Sequence, residues 1–222
     1  NPEAIIKLLG KHFIDLDRLK ILDLGCGKGA VSIKVAQKYG GHCYGIDAIP
    51  EFIDYAKEKA IEYKVGHLCA FITGDIREKV KALPTYDIII LGAIGPVFGD
   101  YYTTLTTLSK CLAKSGIFII DDGYIENNSD YSHPLIQKQE IIFRQIDSAG
   151  MQLIEDYIFQ KDEIKDSDDY IFEKLKMRCD ELIENYPDKK ELFLNYIKKQ
   201  EDENDVLENK VVCTTMVIKR KN

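Results

Sequence analysis

The stretch Ile21-Leu-Asp-Leu-Gly-Cys-Gly-Lys-Gly-Ala30 limits what this chain can fold into more than any other. A short strand, residues 21–24, stops at a cluster of glycines, and Val31, Ile33, Val35 and Ala36 then recur at helical spacing. A chain that leaves a strand and enters a helix through so tight a turn needs residues free to take positive φ, which Gly25 and Gly27 supply. The start of that helix points unpaired N–H groups at whatever lies over the loop. Such a turn belongs to a sheet whose strands end beneath a ligand.

The alternation recurs downstream. Residues 43–46 read as a second strand with Asp47 at its carboxyl end, residues 50–63 as a helix, and residues 68–72 as a third strand ending at Thr73-Gly74-Asp75. Residues 86–91 form a fourth strand, whose continuous apolar run predicts burial on both faces. A helix is expected over residues 101–112 and a fifth strand over 117–120, ending in Asp121-Asp122. A further helix is read over 135–149, and strands six and seven over 153–159 and 211–218. Asn1-Pro2-Glu3 reads as a helix start with Asn1 as N-cap. Five strands alternating with helices predict an α/β doubly wound parallel sheet. Two closing strands complete seven as an antiparallel pair, with residues 160–209 inserted between them as charged helices. The whole chain, 1–222, reads as one domain with that insertion as a helical cap.

Charge and cysteine usage exclude several classes. The net charge of −7 comes from 37 acids against 30 bases, and the lysines are interleaved with acids. That leaves no basic stripe for nucleic acid. Six cysteines are dispersed without a C-x-x-C pair and read as reduced thiols of a cytoplasmic protein. No signal peptide and no apolar run long enough to span a bilayer is visible, so no membrane partner is expected. The chain opens at Asn1 rather than Met, which leaves open whether residues precede it. His12, His42, His67 and His133 show no metal-ligand spacing with the cysteines, so no metal is expected.

Gly25-x-Gly27-x-x-Ala30 also satisfies the dinucleotide pattern G-x-G-x-x-G/A, and Asp47 stands where an acid would meet ribose hydroxyls. The glycines alone leave nicotinamide, flavin and S-adenosylmethionine ligands open.

With the flanking residues included, Leu22-Asp23-Leu24-Gly25-Cys26-Gly27-Lys28-Gly29 resembles motif I of the class I S-adenosylmethionine-dependent methyltransferases. Like that family, the chain carries an acid, Asp23, two positions before the first glycine. A carboxylate there attracts a sulfonium and an ammonium and would repel a pyrophosphate. Gly45-Ile46-Asp47 resembles motif II, and Gly74-Asp75-Ile76, residues 86–91 and residues 116–120 resemble the motifs of the third, fourth and fifth strands. The resemblance implies a Rossmann-like fold and S-adenosyl-L-methionine as cofactor. It implies that Asp47 accepts bonds from both ribose hydroxyls, and that Asp75 and the Ile76 backbone meet the adenine. Asp23, Gly25, Cys26, Gly27, Asp47, Ala48, Asp75, Ile76 and Leu91 are the cofactor contacts it implies. For Asp47 and Asp75 the competing use is a helix N-cap, and Cys26 reads as a small residue fitted to the loop rather than a nucleophile.

The acceptor is less legible. Residues 91–98 read Leu-Gly-Ala-Ile-Gly-Pro-Val-Phe and lack the N-P-P-Y or D-P-P-Y pattern of many amino-methylating enzymes. Asp121, Asp122, Tyr124 and His133 are the candidates for orienting an acceptor or taking its proton; a turn and an exposed loop are the competing uses. The insertion carries Tyr170, Phe172, Leu175, Leu182, Phe193 and Ile197 among other apolar residues, and resembles the lids of small-molecule methyltransferases. A homodimer face is the other use such residues allow. The charge run 201–205 reads as a solvated helix end. The expected reaction is in-line methyl transfer to a small-molecule acceptor. A non-catalytic S-adenosylmethionine-binding protein is a second reading. An NAD-dependent oxidoreductase is a third, disfavoured by Asp23 and by the missing Tyr-x-x-x-Lys pair.

Overall fold

The computed structural model describes residues 2–221, so the expected N-cap Asn1 lies outside the described residues. Helix α1 (Pro2–His12) precedes the alternating units β1 (Lys20–Leu24), α2 (Ala30–Tyr39), β2 (His42–Asp47), α3 (Pro50–Glu62), β3 (Cys69–Thr73) and α4 (Ile76–Lys79). They continue as β4 (Tyr86–Gly92), α5 (Tyr101–Leu108), β5 (Leu112–Tyr124), α6 (Gln139–Ser148) and β6 (Met151–Ile158). Two long helices, α7 (Lys161–Asn185) and α8 (Lys190–Asn209), then lead to β7 (Val212–Arg220).

The strands form one seven-stranded sheet in the order β3-β2-β1-β4-β5-β7-β6. Strands β1 to β5 pair in parallel, and β7 runs antiparallel between β5 and β6. This is the expected Rossmann-like doubly wound sheet of five parallel strands, closed by the antiparallel pair β6 and β7. The order turns outward on both sides of β1 and β4. The carboxyl ends of those strands therefore open the crevice in which such sheets bind ligands.

Both faces of the sheet are buried, as the apolar run of β4 requires. Ile88 and Ile90 pack on the α1 and α2 side, and Ile89 and Leu91 on the side of α5 and α6. In β5, Phe118 and Ile120 pack on the α5 and α6 side, and Ile117 and Ile119 on the α1 and α2 side.

Three boundaries differ from the sequence expectation, and each bears on the site. The helix expected over 101–112 stops at Leu108 and closes with a 3-10 turn, Ser109–Cys111, so that Leu112 already pairs with Tyr86. Strand β5 does not end at Ile120. It continues through Tyr124 because β7 pairs Asp121 with Thr215, Asp122 with Thr214 and Tyr124 with Val212. Residues 135–138 are not helical: the Ile125 N–H donates to the Gln137 carbonyl at 2.9 Å, and the Gln139 N–H donates to the Ile125 carbonyl at 3.0 Å. That short bridge beside Pro134 holds the segment extended, and the helix starts only at Gln139.

Helices α7 and α8 pack on each other as a hairpin. Cys179 is the buried residue of α7, while Tyr170, Ile171, Met177, Leu192 and Tyr196 stay exposed. The apolar residues expected to face inward are thus divided between the hairpin seam and its outer surface.

Candidate active site

The loop after β1 is built by close packing. Gly25 sits at φ 69°, and a Cβ there would collide with the Ile94 side chain. Gly45 of β2 lies directly beneath, where a Cβ would come within 2.8 Å of the Cys26 sulfur. Only glycine lets β2 approach the loop this closely. The N–H groups of Gly25 and Cys26 both donate to the Ile46 carbonyl, at 2.8 and 3.1 Å, and the Gly29 N–H donates to the Cys26 carbonyl at 2.9 Å. The Cys26 thiol is buried and pushed upward by that burial, so it stays protonated and serves as packing.

Asp23 settles where the start of α2 directs its charge. It is only 3% exposed, and its Oδ2 accepts from the Ser32 hydroxyl at 2.7 Å. The backbone of Ser32, in the first turn of α2, also favours the ionised carboxylate. The helix N-terminus that would receive a pyrophosphate is therefore occupied by the protein's own carboxylate.

Asp47, half-buried at the end of β2, accepts from the Gly27 N–H and from the Ile49 N–H, each at 2.9 Å. It ties the glycine loop to the β2 end and is not the N-cap of α3, a position Ile49 holds. A carboxylate offers about four acceptor positions, so two backbone bonds leave room for a diol. Ala48 lies beside it, exposed. Asp75 is the N-cap of α4, taking the Arg77 N–H at 2.9 Å, and it also pairs with the Arg77 guanidinium at 2.6 Å. That guanidinium pulls the carboxyl down to about 2. Ile76 buries its side chain in the core. The N-cap use weighed for Asp75 is thus realised in the structure.

Beyond Ile94 lies a cavity of about 970 Å³. Its floor is the carboxyl end of β4 and β5, with Leu91 and residues 120–123, and residues 133–137 form one wall. The start of α5 forms another wall, and α8 covers the top with Lys199, Asp202, Glu203, Val206 and Leu207. Ala93, in left-handed backbone at φ 55°, stands at its edge with its N–H on the Asp121 carbonyl at 2.8 Å. Strain of this kind in a non-glycine residue is concentrated at functional sites.

Of the acceptor-side candidates, Asp121, Asp122 and His133 line this cavity, and Tyr124 does not. Asp121 accepts from the Thr215 hydroxyl at 2.8 Å and Asp122 from the Tyr101 hydroxyl at 2.8 Å. Desolvation of its carboxyl group raises Asp122 above the ordinary carboxylate range. His133 Nδ1 accepts from the Leu135 N–H at 3.2 Å, which engages one ring nitrogen within its own loop. Tyr124 is corrected from catalytic candidate to core residue. It is 2% exposed, its hydroxyl donates to Asp156 at 3.0 Å and accepts from Gln139 at 2.9 Å, and burial pushes it up to about 12. Tyr124→Phe is expected to cost about 1–2 kcal/mol of stability by stranding both partners. Turnover per folded molecule should stay unchanged, which urea denaturation and a methyl-transfer assay on the same sample would check.

The charge run 201–205 is solvated as expected, with Asp202 and Glu203 exposed, and these two also border the cavity. Their spacing with Lys199 and Val206 puts all four on one face of α8, the face over the cavity. Tyr101 and Asp100 were also missed, as residues of a helix start with no motif around them.

The family model described as "Methyltransferase domain" matches residues 15–176. The chain therefore belongs to this family, the class I S-adenosylmethionine-dependent methyltransferases. It is similar to the ubiquinone biosynthesis O-methyltransferases of Rickettsia felis, 34% identical over 154 residues, and Rickettsia canadensis, 30% identical over 122 residues. The matches cover 59% and 53% of this chain and 60% and 48% of those proteins, so the chain spans about half to three-fifths of these relatives. A methyltransferase from Geobacter sulfurreducens, crystallised with S-adenosyl-L-homocysteine, shares the fold with a TM-score of 0.82 at 17% identity, over 100% of this chain and 92% of that one. No helix among the described residues is long and apolar enough to cross a membrane.

Proposed function

We propose that this chain transfers the methyl group of S-adenosylmethionine to a small-molecule acceptor held in the cavity under α8. The observation that carries this reading is the cavity itself, bordered on one side by α8 and adjoining the glycine loop through Ile94, which packs against Gly25. The names of these relatives, ubiquinone biosynthesis O-methyltransferases, support a small acceptor.

The loop residues fit the cofactor. Asp47 offers acceptor positions to the ribose, and the partnered N–H groups of Gly25, Cys26, Gly27 and Gly29 make a poor cradle for a pyrophosphate. Asp23 sets negative charge under the loop, where the ligand is cationic. The bound cofactor supplies a methyl group on a sulfonium that is already a good leaving group. The chain's own residues would therefore contribute orientation, exclusion of water and placement of charge. Residues 160–209 act in this reading as the cap, and the six dispersed free cysteines support a cytoplasmic setting.

Calorimetry with S-adenosylhomocysteine and with NAD tests the reading directly. Binding of the first at micromolar concentrations without the second is the expected result. Tight NAD binding alone would sink it. For turnover, labelled S-adenosylmethionine is incubated with a fractionated metabolite extract. Label appearing in low-molecular-weight product supports a small acceptor, whereas label only in protein or nucleic acid overturns it.

A further inference from the structure

We propose that Cys43 and Cys69 are a redox modification site, a thiol pair that hydrogen peroxide converts to a reversible disulfide behind the cofactor loop. The site does not depend on the proposed methyl transfer.

The fold brings the two together from different strands. Cys43 of β2 and Cys69 of β3 are directly paired in the parallel register. Paired residues on neighbouring strands share a face and lie about 4.8 Å apart. A disulfide spans Cα separations of about 4.4–6.8 Å. Both side chains pack on the α1 and α2 side, Cys43 within that core and Cys69 at its edge. Strand β3 is the outermost on its side of the sheet and is held by β2 alone. It is therefore free to make the small adjustment that closing the bond needs. Of the six free cysteines, Cys213 is the other that stands on a strand, and it pairs with Gly123.

The two sulfurs differ as a sensing pair requires. Cys43 is 3% exposed, whereas Cys69 is half-buried and open to a small oxidant. Contact with Cys43 holds the Cys69 thiol below the ordinary range, while the same contact and burial raise Cys43. Cys69 is thus the attacking sulfur. Its thiolate bonds to one peroxide oxygen as the O–O bond breaks, which leaves a sulfenic acid. The departing hydroxide takes up a proton and becomes water. The Cys43 sulfur then attacks the sulfenic sulfur, the S–O bond breaks, and the hydroxyl leaves as water with the Cys43 proton. The pair loses two electrons and both thiol protons, the peroxide is reduced to two waters, and a dithiol reverses the change.

The pair touches the cofactor loop through Ser32. The Cys69 thiol donates to the Ser32 carbonyl at 3.9 Å, and the Ser32 hydroxyl donates to Asp23 at 2.7 Å under the glycine loop. Closing the disulfide removes that thiol proton from the first turn of α2. The turn that holds the loop's acid loses a contact, so oxidation loosens the loop and weakens cofactor binding.

The test treats the reduced full chain with a small excess of hydrogen peroxide, alkylates the remaining thiols in denaturant, and maps disulfides by peptide mass spectrometry. A peptide pair joining Cys43 to Cys69 is expected, with Cys26, Cys111, Cys179 and Cys213 alkylated, and dithiothreitol should abolish it. In Cys43→Ala, Cys69 should instead be trapped as a sulfenic acid by dimedone. Cys43 and Cys69 both alkylated after peroxide, or either one joined to a different cysteine, overturns the proposal whatever the variant does. Calorimetry on the oxidised chain should show a Kd for S-adenosylhomocysteine raised about fivefold or more, restored by dithiothreitol. A disulfide with unchanged affinity overturns the link to the loop and leaves the modification site standing. Failure of the reduced chain to bind S-adenosylhomocysteine overturns the proposed function without touching the disulfide.

Discussion

Replacing Asp47 with alanine is expected to weaken S-adenosylhomocysteine binding by about 1.5–3 kcal/mol, roughly a 10- to 150-fold rise in Kd. Two losses combine. The carboxylate is the acceptor proposed for the ribose hydroxyls, and it also holds the Gly27 and Ile49 N–H groups that shape the loop. They can be separated with a ligand lacking the ribose hydroxyls, the 2′,3′-dideoxy analogue of S-adenosylhomocysteine. If Asp47 binds the diol, this analogue loses affinity for the native chain but loses little more in Asp47→Ala, because the missing partners are the same interaction. If Asp47 only shapes the loop, both penalties add. An unchanged Kd in Asp47→Ala would remove it from the site altogether.

The glycine loop and the parallel sheet were legible because their signals are local. A strand that stops at Gly25 and resumes as a helix at Ala30 requires one geometry, and the acids at the ends of β2 and β3 fall where that geometry points. The cavity was less legible because it is made by pairing between distant residues. Asp121, Asp122 and Tyr124 look alike from sequence, as polar residues just past a strand. Only the pairing of Asp122 with Thr214 of β7 shows that the strand continues, placing Asp122 at the cavity and turning Tyr124 into the core. The same holds for α8: nothing local in the run 201–205 says that one face of it covers a site. The residues 135–138, helical by composition, were captured by Ile125 through two backbone bonds that no helical pattern reveals.

Asp23 leads to the second large effect, on stability against pH. Burial raises its carboxyl from an ordinary value near 3.8 to about 6, with the Ser32 bonds pulling the other way. The folded state therefore holds this proton more tightly than the unfolded chain does. Its contribution to stability is fully present below about pH 4, is lost as pH rises toward 6, and stays lost above, a swing of about 3 kcal/mol. Asp23→Asn keeps an oxygen for the Ser32 hydroxyl and removes the titration. Its unfolding free energy should be flatter between pH 4 and 7, and at neutral pH it should equal or exceed that of the native chain. Urea denaturation of both proteins across that range decides it; parallel curves would show that Asp23 does not titrate in the window. A buried acid that destabilises the free protein at neutral pH is explained if a cationic ligand offsets it. The same variant should then lose affinity for S-adenosylmethionine while gaining stability. Stability gained with affinity intact would mean that Asp23 shapes the loop and α2 without serving the ligand's charge.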